Sequence, residues 1–451
     1  MPTTSRATAG HATVGRATSR DRQGRLVHLG IGAFARAFVL PATAAAGGWG
    51  VTAVTGRSAR LADALNAQDG RYGLIVRGSD GDDVEIIDVI DETLPAADVD
   101  ALDQVIADPL TAVVTLTITE KGYSAGTAPE TSAPARLARA LRARREAGVD
   151  EPIALVSCDN LTGNGAVLRD AVLAAADPAI RDWFDAHVDV ISTMVDRITP
   201  VAGEDEAQVV AEHTGLVDAA PVVTEPFWEW VIEDSFRGRR PAWEKVGAQL
   251  VADVSIHEER KLRLLNGAHS LLAYAGSLAG HDRVDEAISD HEVRALVEAL
   301  WAEASSTLDL PADDLAAYTR ALEERFRNPR LADALLRIAA DGSEKLRVRT
   351  LPVIAERGGP SEAPAAVAVL AAWTAWVTQR VRDGHEIADP RADALAEAAR
   401  IDFDRERVAA LLAQLGVQDD PQLVAAVTAE EGRLPRQARS ASVSNRSSRD
   451  L

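Results

Sequence analysis

Arg25-Leu-Val-His-Leu-Gly-Ile-Gly-Ala-Phe-Ala-Arg36 is the stretch whose reading decides the fold. A short apolar strand runs into Gly30-x-Gly32-x-x-Ala35, and an Ala-rich helical segment follows. In such a turn the first glycine permits a tight bend and the second lets backbone approach a pyrophosphate. The small third residue, here Ala35, packs helix on strand. The helix that follows opens with free N–H groups suited to phosphate. Gly30, Ile31, Gly32, Ala33 and Phe34 are therefore the candidate cofactor-binding residues. GxGxxA alone also describes an ordinary strand–turn–helix, and it is the position after the first strand that favours the cofactor reading.

Outward from this turn, residues 51–54 form a second strand at the right distance. An NAD-preferring site usually places an acid near the end of that strand, for the ribose 2′-hydroxyl. Here the chain reads Thr55-Gly56-Arg57-Ser58-Ala59-Arg60. Arg57 joins the candidate cofactor residues, and with no acid present NADP stays open beside NAD. Residues 74–76 and 84–89 read as strands around the acidic turn Ser79-Asp80-Gly81-Asp82-Asp83. Residues 113–118 and 153–157 are apolar without alternation, as in a parallel sheet covered on both faces.

Beyond about residue 251 the pattern becomes helical, with helices expected over 256–278, 285–304, 312–326, 331–340, 363–382, 392–403 and 404–415. The fold class is an α/β N-terminal Rossmann-like dinucleotide-binding domain plus a mostly α-helical C-terminal domain. Expected boundaries are 1–24 (tail), 25–251 (dinucleotide-binding), 252–435 (helical, substrate and catalysis) and 436–451 (Ser/Arg-rich tail). The site is expected in the cleft between the two domains.

The totals agree with two domains: 451 residues, 47% of them hydrophobic. A net charge of −21 argues against nucleic-acid and anionic-membrane partners, which need positive patches. A single cysteine, Cys158, allows neither an intrachain disulfide nor a multi-cysteine metal site, and fits a cytoplasmic compartment. The longest apolar run, residues 365–377, falls short of the roughly 18 residues a bilayer span needs and reads as a buried helix. No HExxH and no compact His cluster suggests a metal.

The chemistry is expected in His257-Glu-Glu-Arg-Lys-Leu-Arg-Leu-Leu-Asn-Gly-Ala-His269. On an α-helix at roughly 100° per residue, Lys261, Glu258, His269 and Asn266 fall within an arc of about 140°. An amine, a carboxylate, an imidazole and an amide on one face can take a proton and hold a substrate oxygen that gains charge. The same spacing also suits a plain amphipathic helix with a Lys–Glu surface pair and a core histidine.

Lys261-x4-Asn266-x2-His269, within KLRLLNGAHS, resembles the catalytic signature of the long-chain polyol dehydrogenases, the family of mannitol 2-dehydrogenase and fructuronate reductase. Further segments resemble the same family in the same order, from about residue 24 to about residue 424. They are TLTITEKGY up to Tyr123, Ser157-Cys158-Asp159-Asn160-Leu161 with the Asn164-Gly165 pair, Met194 to Pro200, Glu225 to Asp234, and Arg337-x7-Lys345. The resemblance implies Lys261 as general base, Asn160 and Asn266 as donors to the reacting oxygen, His269 as its orienter and Glu258 as proton relay. It also implies Asp196, Arg337 and Lys345 as substrate contacts. Arg347 and Arg349 favour a sugar acid.

Departures from the family pattern are Ala35 and Phe38, where histidines are common, Ser192 in place of an Asn, and Ala59 and Arg60 where NAD-preferring members carry acids. The implied activity is metal-independent, NAD(P)-dependent interconversion of a mannitol-like polyol and its 2-ketose. The alternatives are the same chemistry on a sugar acid such as mannonate, or a dinucleotide-binding sensor without turnover. The partner is a small polyol, ketose or sugar acid, and the family is often monomeric.

Overall fold

The computed structural model describes residues 22–56, 59–118, 120–123, 131–203 and 205–435. Arg57, most of the expected N-terminal tail and all of the C-terminal tail lie outside these residues. The chain divides into two compact units, residues 1–255 and 256–451.

The first unit is built on six strands: β1 (Gly24–Leu29), β2 (Trp49–Val54), β5 (Ile90–Leu94), β6 (Thr111–Leu116), β7 (Ile153–Ser157) and β8 (Val188–Ile191). They lie in the order β5-β2-β1-β6-β7-β8, with every pairing parallel. The unalternating hydrophobicity has a direct cause in the packing. Leu26, Val51, Ala53, Val113, Ala154 and Val156 enter one core, and Val27, Leu29, Val54, Val114, Leu116 and Leu155 enter another. Successive residues of a strand point to opposite faces, and both faces are covered. The order reverses between β1 and β6, so the carboxyl ends of these two strands form the switch point where open α/β sheets bind ligands.

The strands around the acidic turn, β3 (Tyr72–Arg77) and β4 (Asp82–Ile87), do not join this sheet. They pair antiparallel, with Arg77 opposite Asp82, and β10 (Val222–Thr224) runs parallel to β3. A third small sheet sets β9 (Thr193–Asp196) antiparallel to β11 (Glu229–Glu233), with β12 (Gln249–Val251) beyond. The segment Glu225 to Asp234 contributes packing, since Trp230 is fully buried against Phe38 and Trp243.

The second unit is helical, and at its centre lies Pro364–Arg382, buried on all sides from Ala365 to Thr378. The Glu303 carboxylate accepts from the N–H groups of Ala365 and Ala366 at 2.8 and 2.9 Å, which satisfies the helix's first free donors. The single helix expected over 285–304 is two, Val284–Ser289 and His291–Ser305. Asp290 separates them in extended conformation, its carboxylate accepting from Glu292 and Val293 N–H as an N-cap. Gly342–Arg349, Leu351–Glu356 and Pro421–Glu431 are helices that periodicity did not reveal. No helix among the described residues is long and apolar enough to cross a membrane.

Candidate active site

The glycine turn has the geometry its sequence requires. Gly30 sits at φ +90°, and a Cβ there would lie 2.3 Å from the Thr117 carbonyl oxygen. Gly32 differs: the nearest atom to an added Cβ is the Gly30 carbonyl at 3.8 Å, so the space in front of it is open. The N–H groups of Gly30 and Ile31 donate to the Val54 carbonyl, and that of Gly32 to the Gly30 carbonyl. Ala33 and Phe34 follow in the first turn of a short helix (Ala33–Ala37), where an N–H has no carbonyl one turn back to meet. Open space before Gly32, followed by the first-turn N–H groups of Ala33 and Phe34, suits a pyrophosphate. The two departures, Ala35 and Phe38, are fully buried, and Phe38 stacks on Phe34 with ring centroids 4.9 Å apart.

Two strands along, the segment after β7 is held from both sides. The Asp159 carboxylate, 7% exposed, accepts from Ile118 N–H at 2.6 Å, from the Ser157 hydroxyl at 3.3 Å and from the Tyr123 hydroxyl. Burial pushes the Asp159 carboxyl up to about 7, against the pull of those donors. On the other side the Asn164 amide donates to the carbonyls of Asp159 and Thr193, at 2.9 and 2.8 Å, and accepts from Thr193 N–H. Gly163, at φ +62°, opens the helix that Asn164 begins. Asn160 stands exposed on this braced loop. Asp196 is the last residue of β9, 4% exposed and opposite Glu229. Its neighbour Arg197 donates to the carbonyls of Glu225 and Ala37.

In the second unit, the helix expected over 256–278 is continuous but not uniformly α. Ser255–Arg260 is α, Lys261–Asn266 is π, Gly267–Leu271 is α, and a second π stretch covers Leu272–Gly276. This corrects the angular argument from sequence. Residues five apart lie about 140° apart around an α-helix. In π geometry, held by i→i+5 bonds, they lie closer together around the helix. Lys261 and Asn266 are five apart, so the change of register brings their positions closer around the helix than an α-helix would. Glu258, Lys261, Asn266 and His269 are all half-buried, while Arg263, Leu264, Leu265, Gly267, Ala268 and Ser270 are buried. The four polar side chains thus belong to the helix's accessible stripe. The His269 ring lies 4.8 Å from that of Phe326.

Side chains attend to the carbonyls along this stretch. Trp301 Nε1 donates to the Leu264 carbonyl at 3.0 Å. The Asn266 carbonyl accepts from the Ser270 hydroxyl at 3.1 Å and from Arg349 Nη1 at 3.2 Å. Arg349 ends the helix Gly342–Arg349, and Gly342 brings that helix in closely, since a Cβ there would meet the Tyr274 hydroxyl at 2.5 Å. Burial lowers the Arg349 guanidinium to about 10. Lys345, one turn earlier, is half-buried and donates to the Ile338 carbonyl at 3.1 Å. Burial, and then the Arg349 charge, lower its ammonium from its usual value. Arg337 is placed differently: its side chain is 70% exposed and paired with Asp333.

Sequence reading missed Asp159, Asn164 and Tyr123 as the braces of the Asn160 loop, and it missed Arg349 as the support of Asn266. The Gly163-Asn164-Gly165 run ahead of a helical segment was the available signal for Asn164. No cluster of three or more His, Cys, Asp or Glu side chains able to hold a metal occurs among the described residues.

A parallel sheet with a glycine turn at its switch point, followed in the chain by a helical unit that carries a Lys–Asn–His stripe, defines a dinucleotide-fold oxidoreductase. The chain belongs to the mannitol dehydrogenase family: the family's Rossmann-domain model matches residues 24–245 and its C-terminal-domain model residues 253–434. It is 38% identical to the D-mannonate oxidoreductase of Escherichia coli K12, over 90% of this chain and 92% of that one. It is also 38% identical to the D-arabinitol 4-dehydrogenase of Ralstonia nicotianae, over 77% and 81%. The mannitol 2-dehydrogenase of Pseudomonas fluorescens, solved as a ternary complex with NAD and D-mannitol, superposes with a TM-score of 0.75 at 34% identity, covering 92% of each chain. By family the protein is an enzyme, a secondary-alcohol dehydrogenase.

Proposed function

We propose that this enzyme interconverts a mannitol-like polyol and its 2-ketose, with NAD or NADP and without a metal, in the cytoplasm. The observation that carries the proposal is the π register over Lys261–Asn266, which narrows the angle between Lys261 and Asn266 around the helix. Gly30, Ile31, Gly32, Ala33 and Phe34, with Arg57 as a further candidate contact, would hold the dinucleotide, which would supply the hydride acceptor or donor. In oxidation, neutral Lys261 takes the hydroxyl proton while the carbinol carbon gives up its hydride. Asn266 and Asn160 donate amide N–H to the oxygen as charge develops, which costs no reorganisation at the moment of reaction. His269 orients that oxygen, and Glu258, one turn before Lys261, passes the proton outward. Asp196 and Lys345 bind substrate hydroxyls, and Arg337 joins them by exchanging Asp333 for substrate. Reduction runs the same roles in reverse.

A second reading is favoured by a specific observation. Lys345 and Arg349 are two half-buried cations one turn apart on the helix whose end supports Asn266, a setting suited to the carboxylate of a hexonate. Identity to a D-mannonate oxidoreductase supports the same substrate branch.

The test is consumption of NADH and of NADPH with fructose, fructuronate, tagaturonate and a ketopentose, alongside Lys261→Ala. Turnover of a ketose that the variant loses supports the polyol reading. Turnover of keto acids only moves the enzyme to the sugar-acid branch. Turnover undiminished in Lys261→Ala removes Lys261 from the mechanism, and dinucleotide binding without turnover of any substrate favours a sensor.

A further inference from the structure

β1, the strand that enters the glycine turn, carries a histidine for which the proposed chemistry has no use. His28 is fully buried and lies opposite Thr115 of β6. Its Nδ1 is 2.7 Å from the Thr115 hydroxyl and its Nε2 3.0 Å from the Thr117 hydroxyl. The Thr117 hydroxyl in turn lies 2.7 Å from the Gly30 carbonyl oxygen.

The proton count in this chain has one solution. A carbonyl only accepts, so the single Thr117 hydroxyl proton goes to Gly30. Thr117 must then accept from His28, which puts the imidazole proton on Nε2 and leaves Nδ1 to accept from Thr115. The ring is neutral in this arrangement, and burial, which pushes His28 down to about 4, keeps it so.

The end of the chain of bonds is the residue that shapes the cofactor turn. The Gly30 carbonyl receives the Thr117 hydroxyl and the Gly32 N–H, at 2.7 and 2.6 Å, and is committed inward by both. A carbonyl released from that position and turned outward would set its negative end against a phosphate.

We infer that His28 and Thr117 are positioning residues for the dinucleotide: the Thr115–His28–Thr117 chain holds the Gly30 carbonyl on the Thr117 hydroxyl, which keeps that oxygen turned away from the pyrophosphate. The inference rests on the cofactor assignment made above.

The experiment is titration of the full chain with NADH and with NADPH, followed by fluorescence and without sugar, for the wild type, Thr117→Val and Thr117→Ser. Thr117 is only half-buried, so both variants are expected to fold, which a thermal melt checks. Loss of one orienting hydrogen bond weakens binding about tenfold in Thr117→Val, and Thr117→Ser restores it. At saturating cofactor, kcat is unchanged. Thr117→Val binding as tightly as the wild type, or Thr117→Ser binding as weakly as Thr117→Val, overturns the inference and leaves the proposed function standing. A wild type that binds neither dinucleotide overturns both. Nitrogen-15 NMR of His28 gives a reading that needs no variant: a proton on Nε2 is expected, and one on Nδ1 reverses the bonds and removes the proposed control of Gly30.

Discussion

The glycine turn after β1 and the helix that carries Lys261 solve one problem in opposite ways. Each must depart from regular backbone to present polar groups. The turn does so with residue type: Gly30 at φ +90° occupies a conformation that a side chain would resist. The Lys261 helix does so with register, since Lys261–Asn266 is π-helical with neither proline nor glycine in it. A departure made by glycine is written into the sequence. A departure made by register depends on partners from distant helices, here Trp301 at the Leu264 carbonyl and Arg349 at the Asn266 carbonyl.

The contrast can be broken by substitution, and the largest effect is expected at the chemistry itself. Lys261→Ala removes the proposed base and should lower kcat/KM on the order of 10³-fold, with dinucleotide affinity and melting temperature little changed. A fall in dinucleotide affinity of the same size would mean that Lys261 is not confined to the proton-transfer step.

Next come the two glycines, which should separate cleanly. Gly30→Ala forces a Cβ against the Thr117 carbonyl at a positive φ, and a loss of about 2–4 kcal/mol in urea unfolding is expected. Gly32→Ala meets nothing nearer than 3.8 Å and should unfold like the wild type while binding dinucleotide poorly. Equal stability losses in the two variants would erase the distinction between turn and approach.

Asp159 sharpens the picture through pH. Its folded carboxyl, raised to about 7, holds a proton that the unfolded chain has already lost once pH passes the ordinary carboxylate range. Its contribution to stability is therefore fully present below that range and is lost as pH rises through about 7. Denaturant midpoints measured from pH 4 to 8 should show this decline in the wild type relative to Asp159→Asn, by a few kcal/mol at most. Parallel curves for the two proteins would remove the assignment.

The smallest effect is expected where the helix register is supported. Trp301→Phe keeps the ring but leaves the Leu264 carbonyl without that donor, at a cost of about 1–2 kcal/mol. Arg349→Met takes a donor from the Asn266 carbonyl, and kcat should fall about tenfold with dinucleotide affinity unchanged. Unchanged kcat would show that the register holds without Arg349.

Much of the fold was legible in the sequence. The parallel strands, the glycine turn and the buried helix over 364–382 follow from periodicity and residue type. Residues 74–76 and 84–89 read as strands, but their separation into another sheet was hidden, because strand propensity does not name a partner. Asp290 breaks a helix that periodicity had drawn as continuous, because its carboxylate caps the second half. The helix bearing Lys345 was missed altogether: Gly342, Ser343 and the charged pair Glu344 and Lys345 gave its first four positions no apolar period, and contacts with Tyr274 and Trp373 hold it in place.

By itself the sequence named the residues proposed for the chemistry, and where a side chain is forbidden. Those are properties of residue type, spacing and local sterics, which a chain keeps wherever it is packed. Only the tertiary structure decided that Lys261–Asn266 is π-helical, that Asp159 is braced by three donors, and that Arg337 pairs with Asp333 while Lys345 is half-buried. Helix register, carboxylate ionisation and burial are set by neighbours that come from distant parts of the chain.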